Sequence, residues 1–130
     1  MTDKQPVNPW SWQDARGFTQ AWRVGQASTL VFLSGQGPID ADGRLTGAGD
    51  FEAQADHTFA NLGRVLEQAG AGFADIVKLT VYLTDITQLP VYGRVKARYI
   101  HGQQPASTAL AVSALALPGM MIEVEAIAVR

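Results

Sequence analysis

The sequence predicts an α+β fold: a mixed sheet built in the order β-β-α-β-α-β-β, with both helices on one face. Three observations carry this expectation. Between Asp50 and Gly70, residues Phe51, Ala55, Phe59, Leu62, Val65, Leu66 and Ala69 recur every three or four positions and form one apolar helical stripe. In "DIVKLTVYLTDI" (75–86), Val77, Leu79, Val81 and Leu83 alternate with Ile76, Lys78, Thr80 and Tyr82, as in a strand with one fully apolar side. The C-terminal "MIEVEAIAV" (121–129) also reads as a strand, yet it sets Glu123 and Glu125 on one side together with Met121 and Ile127.

Taken in order, residues 1–17 ("MTDKQPVNPWSWQDARG") have two prolines and no periodicity. They are expected to be an extended N-terminal arm, pinned by Trp10 and Trp12, of one domain spanning 1–130. "FTQAWRV" and "TLVFLSGQG" are β-rich and separated by "GQAS", which predicts a hairpin. Asp42-Gly43 marks a tight turn in the following loop.

The first helix starts at an Asp50 N-cap and stops at Gly70, with Gln54, His57, Asn61 and Arg64 on its polar side. The second helix is expected from Thr87 to Gly102. Pro90 falls in its first turn, where a missing N–H costs little, and Leu89, Tyr92, Val95 and Tyr99 form its buried stripe. The strands "STALAVSAL" and "MMIEVEAIAV", joined by "ALPG", close the chain. With both helices on one side, the other sheet face carries Phe32, Tyr82, Ile127 and Val129 mixed with Thr80, Glu123 and Glu125. A face so apolar is normally covered, which predicts an oligomer.

The bulk composition excludes several classes. At a net charge of −2 there is no basic excess to neutralise phosphates, so neither nucleic acid nor an acidic membrane is an expected partner. Cysteine is absent, which removes disulfides, thiolate nucleophiles and zinc ribbons. No apolar leader or spanning run occurs, so the expected location is cytoplasmic. "LSGQG" is not a nucleophile elbow, because Ser34 precedes the glycines. "GQGPID" lacks the third glycine of a dinucleotide loop. His57 and His101 have no partner at metal spacing, and no metal or other cofactor is expected. His57 reads as part of a solvated helix face, and His101 as a cap at a helix C-terminus.

What remains is the acidic strand and the segment "QQPAST". Together with "FTQA" (18–21), "SGQGPID" (34–40), "NLGRVLEQAG" (61–70), "DIVKLTVYLTDI" (75–86), "PAST" (105–108) and "IEVEAIAV" (122–129), they make the chain resemble the RidA/YjgF family. This family of reactive enamine/imine deaminases was earlier labelled endoribonuclease. The resemblance covers about 110 residues in the family's order. It implies a chorismate-mutase-like fold, a homotrimer with a central barrel, and small-molecule pockets at the subunit interfaces. It also implies a catalytic glutamate at Glu123, backbone contacts at Ser34 and Gly35, and Phe18 where the family has a tyrosine. Gly93 stands at or next to a family asparagine, and Ser107 occupies the position of the arginine that grips a substrate carboxylate.

A serine offers one neutral hydroxyl in place of a two-pronged charged donor. The expectation is therefore an enamine or imine hydrolase of a substrate other than small 2-iminoacids. Thr108 and Ala109 are further contacts in that pocket, while Arg16 in the N-terminal loop either presents a guanidinium there from another direction or is a solvated loop residue. Glu125 is assigned a structural hydrogen bond or a trimer contact. The alternative is a non-catalytic trimer that binds a small metabolite. Ribonuclease activity ranks last, since neither a basic groove nor paired histidines are present.

Overall fold

The computed structural model describes residues 2–130. Its strands are β1 (Asp3–Val7), β2 (Ala21–Gly25), β3 (Leu30–Gln36), β4 (Ile76–Leu83), β5 (Ala106–Ala111) and β6 (Ile122–Val129), with helices α1 (Phe51–Gln68) and α2 (Leu89–Lys96). The main sheet runs β3-β6-β4-β5. β6 is antiparallel to both β3 and β4, while β4 and β5 are parallel and joined through α2. No helix among the described residues is long and apolar enough to cross a membrane.

α1 forms where the sequence places it. The Asp50 carboxylate accepts the Ala53 N–H and occupies an otherwise orphan donor. At the other end Gly70 takes φ 76°, and Ala71 N–H closes onto Leu66 C=O at 2.9 Å, a left-handed stop that glycine adopts without strain. α1 buries Phe51, Ala55, Phe59, Leu62 and Leu66, α2 buries Tyr92 and Val95, and both meet Leu79, Val81, Leu83, Ile122 and Val124 on one face of the sheet.

Several expectations are corrected. β2 pairs with β1 in a separate two-stranded ribbon, and β3 pairs with β6, so no hairpin joins β2 to β3. The segment expected to be an extended arm therefore contains a strand and a short 3-10 helix at Trp12–Arg16. Val65 is 38% exposed and lies off the buried stripe, whereas Gln54, placed on the polar side by the pattern, is fully buried. Its amide donates to Gly119 C=O at 2.9 Å and accepts Met121 N–H at 2.8 Å, tying α1 to the loop before β6. α2 ends at Lys96, not Gly102, so His101 lies beyond the helix and does not cap it.

The helix-free face of the sheet carries Phe32, 72% exposed, and Leu30, 57% exposed, beside Thr80, Tyr82, Glu123, Glu125 and Ile127. Val129, in register with Leu30 on this face, is nonetheless buried.

Candidate functional site

The two sides of the sheet each hold part of the expected site. On the helix-free side, β6 presents Glu123 opposite Tyr82 and Glu125 opposite Thr80. The Tyr82 hydroxyl donates to Glu125 Oε1, and this bond, with burial and the nearby carboxylates, holds the phenol above its ordinary pKa. Glu125 thus has the structural hydrogen bond expected of it. Glu123 has no hydrogen-bond donor from within the chain among the described residues.

What sits against Glu123 is backbone. Leu33 pairs with Ala126 and Gln36 with Val124, which leaves Ser34 and Gly35 facing the single residue Glu125 as a β-bulge. A β-carbon at Gly35 would lie 2.0 Å from Glu123 Oε1, so the carboxylate rests directly on the glycine. Asn61 of α1 holds the next turn of chain, donating to Gly37 C=O at 2.8 Å and Ile39 C=O at 2.9 Å. The bulge is thereby anchored to the helix layer.

Gly35→Ala is expected to fold, because Gly35 is exposed and the atoms in the way are the mobile end of a glutamate. The added methyl turns the carboxylate off its seat, and if the turnover proposed below rests on Glu123, a displacement on the ångström scale costs about 10²-fold in it. A steady-state assay alongside a melting curve checks both halves of this expectation.

On the helix side lies a cavity of about 370 Å³ between α2, the Trp12–Arg16 turn and β5. It is lined by Arg16, Phe18, Ser107 and Ala109 from the expected set, with Trp12, Tyr92, Gly93 and Lys96 beside them. Ser107 points here because it is in register with Leu79 on the apolar side of β4. Thr108, one residue on, is in register with Thr80 on the opposite side, where its hydroxyl accepts from Lys78 Nζ at 2.8 Å. The structure therefore separates Thr108 from this cavity. Trp12 packs edge-on to Phe18 at 5.7 Å, and the Arg16 guanidinium sits 5.4 Å from the Trp12 ring centre, so the N-terminal turn supplies an aromatic wall and a cation.

The residue that sequence reasoning missed is Lys96. In the sequence it belongs to a basic trio with Arg94 and Arg98, yet it is 8% exposed. Its Nζ donates to Gly17 C=O at 2.6 Å, and burial pushes its pKa below the usual lysine value. Spacing offered a signal, since Tyr92 and Lys96 are one helical turn apart and share the buried side.

Glu123 and Ser107 cannot meet within one chain. They belong to opposite faces of the sheet, on strands separated by β4. His57 is exposed on the wall of a different depression, together with Gly35, Asn61 and Arg64. No group of metal-binding side chains occurs among the described residues.

Residues 12–130 match the family model described as Endoribonuclease L-PSP. The chain is 35% identical over 126 residues to a RutC family protein of Pyrococcus abyssi, covering 97% of this chain and 90% of that one. It is 36% identical over 106 residues to the mouse 2-iminobutanoate/2-iminopropanoate deaminase, covering 81% and 77% respectively. Among solved structures, a protein of unknown function of the conserved Rid family, YyfB from Yersinia pestis, superposes with a TM-score of 0.88 at 32% identity, over 98% of each chain. A family match along nearly the whole chain, joined to the same fold and to relatives of this similarity, places the chain in the endoribonuclease L-PSP family, that of the RidA/YjgF proteins.

Proposed function

We propose that the chain hydrolyses the C=N bond of a small imine, or of the enamine that tautomerises to it, in a cavity completed by a neighbouring copy of itself. The observation that carries this reading is the division of the expected site. A carboxylate with no donor of its own sits on one face, and a cavity with no carboxylate on its wall sits on the other. A second copy laid on the helix-free face brings the two halves together, and the exposed Phe32 and Leu30 are the apolar surface that such packing buries. The family relationship supports a trimer as the closed form of that assembly.

Glu123 of one subunit takes a proton from water as the oxygen adds to the imine carbon held in the other. The carboxyl returns that proton to the imine nitrogen, and the neutral carbinolamine then collapses as the same carboxylate relays its hydroxyl proton to the departing nitrogen, leaving a carbonyl and ammonia. Water and imine become carbonyl and ammonia, with no electron acceptor required. With Ser107 on β5, no guanidinium fork reaches from that strand to a carboxylate adjoining the C=N; the arginine on the cavity wall is Arg16, from the N-terminal turn.

Ammonia release from a panel of imines tests this. We expect carboxylate-free imines to turn over, and small 2-iminoacids to react about 30-fold or more slower than with an arginine-bearing relative. Release from none of the panel, with ligand-dependent thermal shifts alone, would replace the hydrolase with a metabolite-binding trimer.

A further inference from the structure

The chain holds three lysines, and their settings differ. Lys4 and Lys78 are partly exposed: Lys4 donates to Ala74 C=O and lies over the Trp22 ring, and Lys78 donates to Thr108 on the helix-free face. Lys96 is buried on the wall of the cavity between α2, the Trp12–Arg16 turn and β5, beside Trp12, Phe18 and Leu89. That wall includes the Arg16 cation and no carboxylate, while Asp14 and Arg94 line an adjoining groove that Lys96 also borders. The ion pairs among the described residues are made by Arg98 and Arg130, none by Lys96. Burial disfavours the ammonium and holds its pKa below the usual lysine value. Desolvation in an apolar pocket is one of the ways in which a protein makes a lysine amine nucleophilic.

The surroundings suit addition of that amine to a carbonyl carbon. Nζ donates to Gly17 C=O at 2.6 Å, a bond that the neutral amine can keep with one of its two N–H groups while its lone pair stays free. One helical turn earlier, the Tyr92 hydroxyl is buried with no hydrogen-bond partner, on a side chain 4% exposed that lines the same cavity. Burial pushes the phenol's pKa up, so the hydroxyl keeps its proton and can donate to an oxygen that gains negative charge.

We propose that Lys96 captures a small apolar aldehyde as a covalent imine, with the Tyr92 hydroxyl donating to the carbonyl oxygen. The amine lone pair forms the C–N bond as the C=O π pair moves to oxygen, and a proton shed by the nitrogen passes to that oxygen. The nitrogen's restored lone pair then forms C=N and expels the hydroxyl, which leaves as water with the last amine proton. Aldehyde and amine become imine and water, and neither an oxidant nor a reductant takes part. Trp12, Phe18 and Leu89 are the apolar surface that receives the carbon chain. This capture goes beyond imine hydrolysis: it uses neither Glu123 nor a second copy, and it stands whether or not a free imine is turned over.

Reductive trapping on the full chain tests the proposal, with 3-phenylpropanal as the probe and cyanoborohydride as the hydride source near neutral pH. The hydride turns each imine into a stable amine, and peptide mass mapping shows which lysine carries it. Lys96 is expected to be marked about ten-fold faster than Lys4 or Lys78, and all three alike in denaturant, where burial is lost. Lys96→Met should remove the fast phase. Tyr92→Phe should slow marking of Lys96 several-fold and leave Lys4 and Lys78 unchanged, a split that unfolding would not produce. Marking of Lys96 no faster than the other two, no marking of it at all, or a preference that persists in denaturant overturns the proposal. An unchanged Lys96 rate in folded Tyr92→Phe overturns the part given to Tyr92. Should Lys96→Met fail to fold, the three rates in the unaltered chain decide. Ammonia release from free imines is measured without hydride, so failure of the hydrolase and failure of the capture are told apart.

Discussion

Glu123→Gln is expected to lower turnover of a carboxylate-free imine by about 10²–10⁴-fold, the usual contribution of a positioned general acid–base group. Glutamine fills nearly the same space on Gly35 but cannot take the proton from water. The loss should fall on kcat with KM little changed, because the proposed role of Glu123 lies in the chemical step and the binding cavity belongs to the other face. The fold should be untouched. Glu123 is only partly buried and has no hydrogen-bond donor within the chain to lose. Near-normal turnover in a folded Glu123→Gln protein would remove the carboxylate from the mechanism.

The largest expected effect on stability lies in the core. Phe59 is fully buried, with ring centres 5.8 Å from Tyr92 and 5.4 Å from Tyr99, so it locks α1 to α2 and to the chain beyond it. Phe59→Ala is expected to cost about 3–5 kcal/mol, from lost transfer energy plus the cavity left behind. That lowers the thermal midpoint by about 10–20 °C. Val65→Ala, six residues along the same helix but exposed, should cost about 0.5 kcal/mol or less. Comparable losses for the two substitutions in chemical denaturation would contradict the packing described here.

These two residues also mark what could be read from the sequence. Phe59 and Val65 belong to the same periodic stripe, and periodicity resolves a helical face only to within a residue or so at its edges. Phe59 lies near the middle of the stripe and Val65 at its margin, so the core was legible and its border was not. The mixed sheet with both helices on one face followed from alternation in β4 and β6, which is a local signal. The pairing of β2 with β1 was hidden, because Pro6 and Pro9 mask a five-residue strand whose partner lies beyond the Trp12–Arg16 turn.

Gln54 was misplaced and Lys96 passed over for a common reason. A polar side chain is assigned to solvent by default, yet Gln54 finds backbone partners on two loops and Lys96 finds the Gly17 carbonyl, contacts between positions 65 and 79 residues apart. For the site, alternation predicted that Glu123 shares a face with Tyr82, and the family resemblance singled out Ser107. Neither could reveal that the two sit on opposite faces, because that depends on β4 and β5 being parallel and in register at Leu79 and Ser107. Attention to position 107 alone also left Lys96 out, although it lines the same cavity from the helix side.

Subunit mixing tests the claim that one site is built from two copies. Glu123→Gln lacks the carboxylate, and Ser107→Trp fills the cavity, so each protein alone is expected to be inactive. When the two are unfolded together and reassembled in equal amounts, about one interface in four pairs an intact Glu123 with an open cavity, and up to about a quarter of the normal activity should return. If the mixture stays as inactive as its components, while each still assembles as the unaltered chain does, the site is contained in a single chain and the division proposed here is wrong.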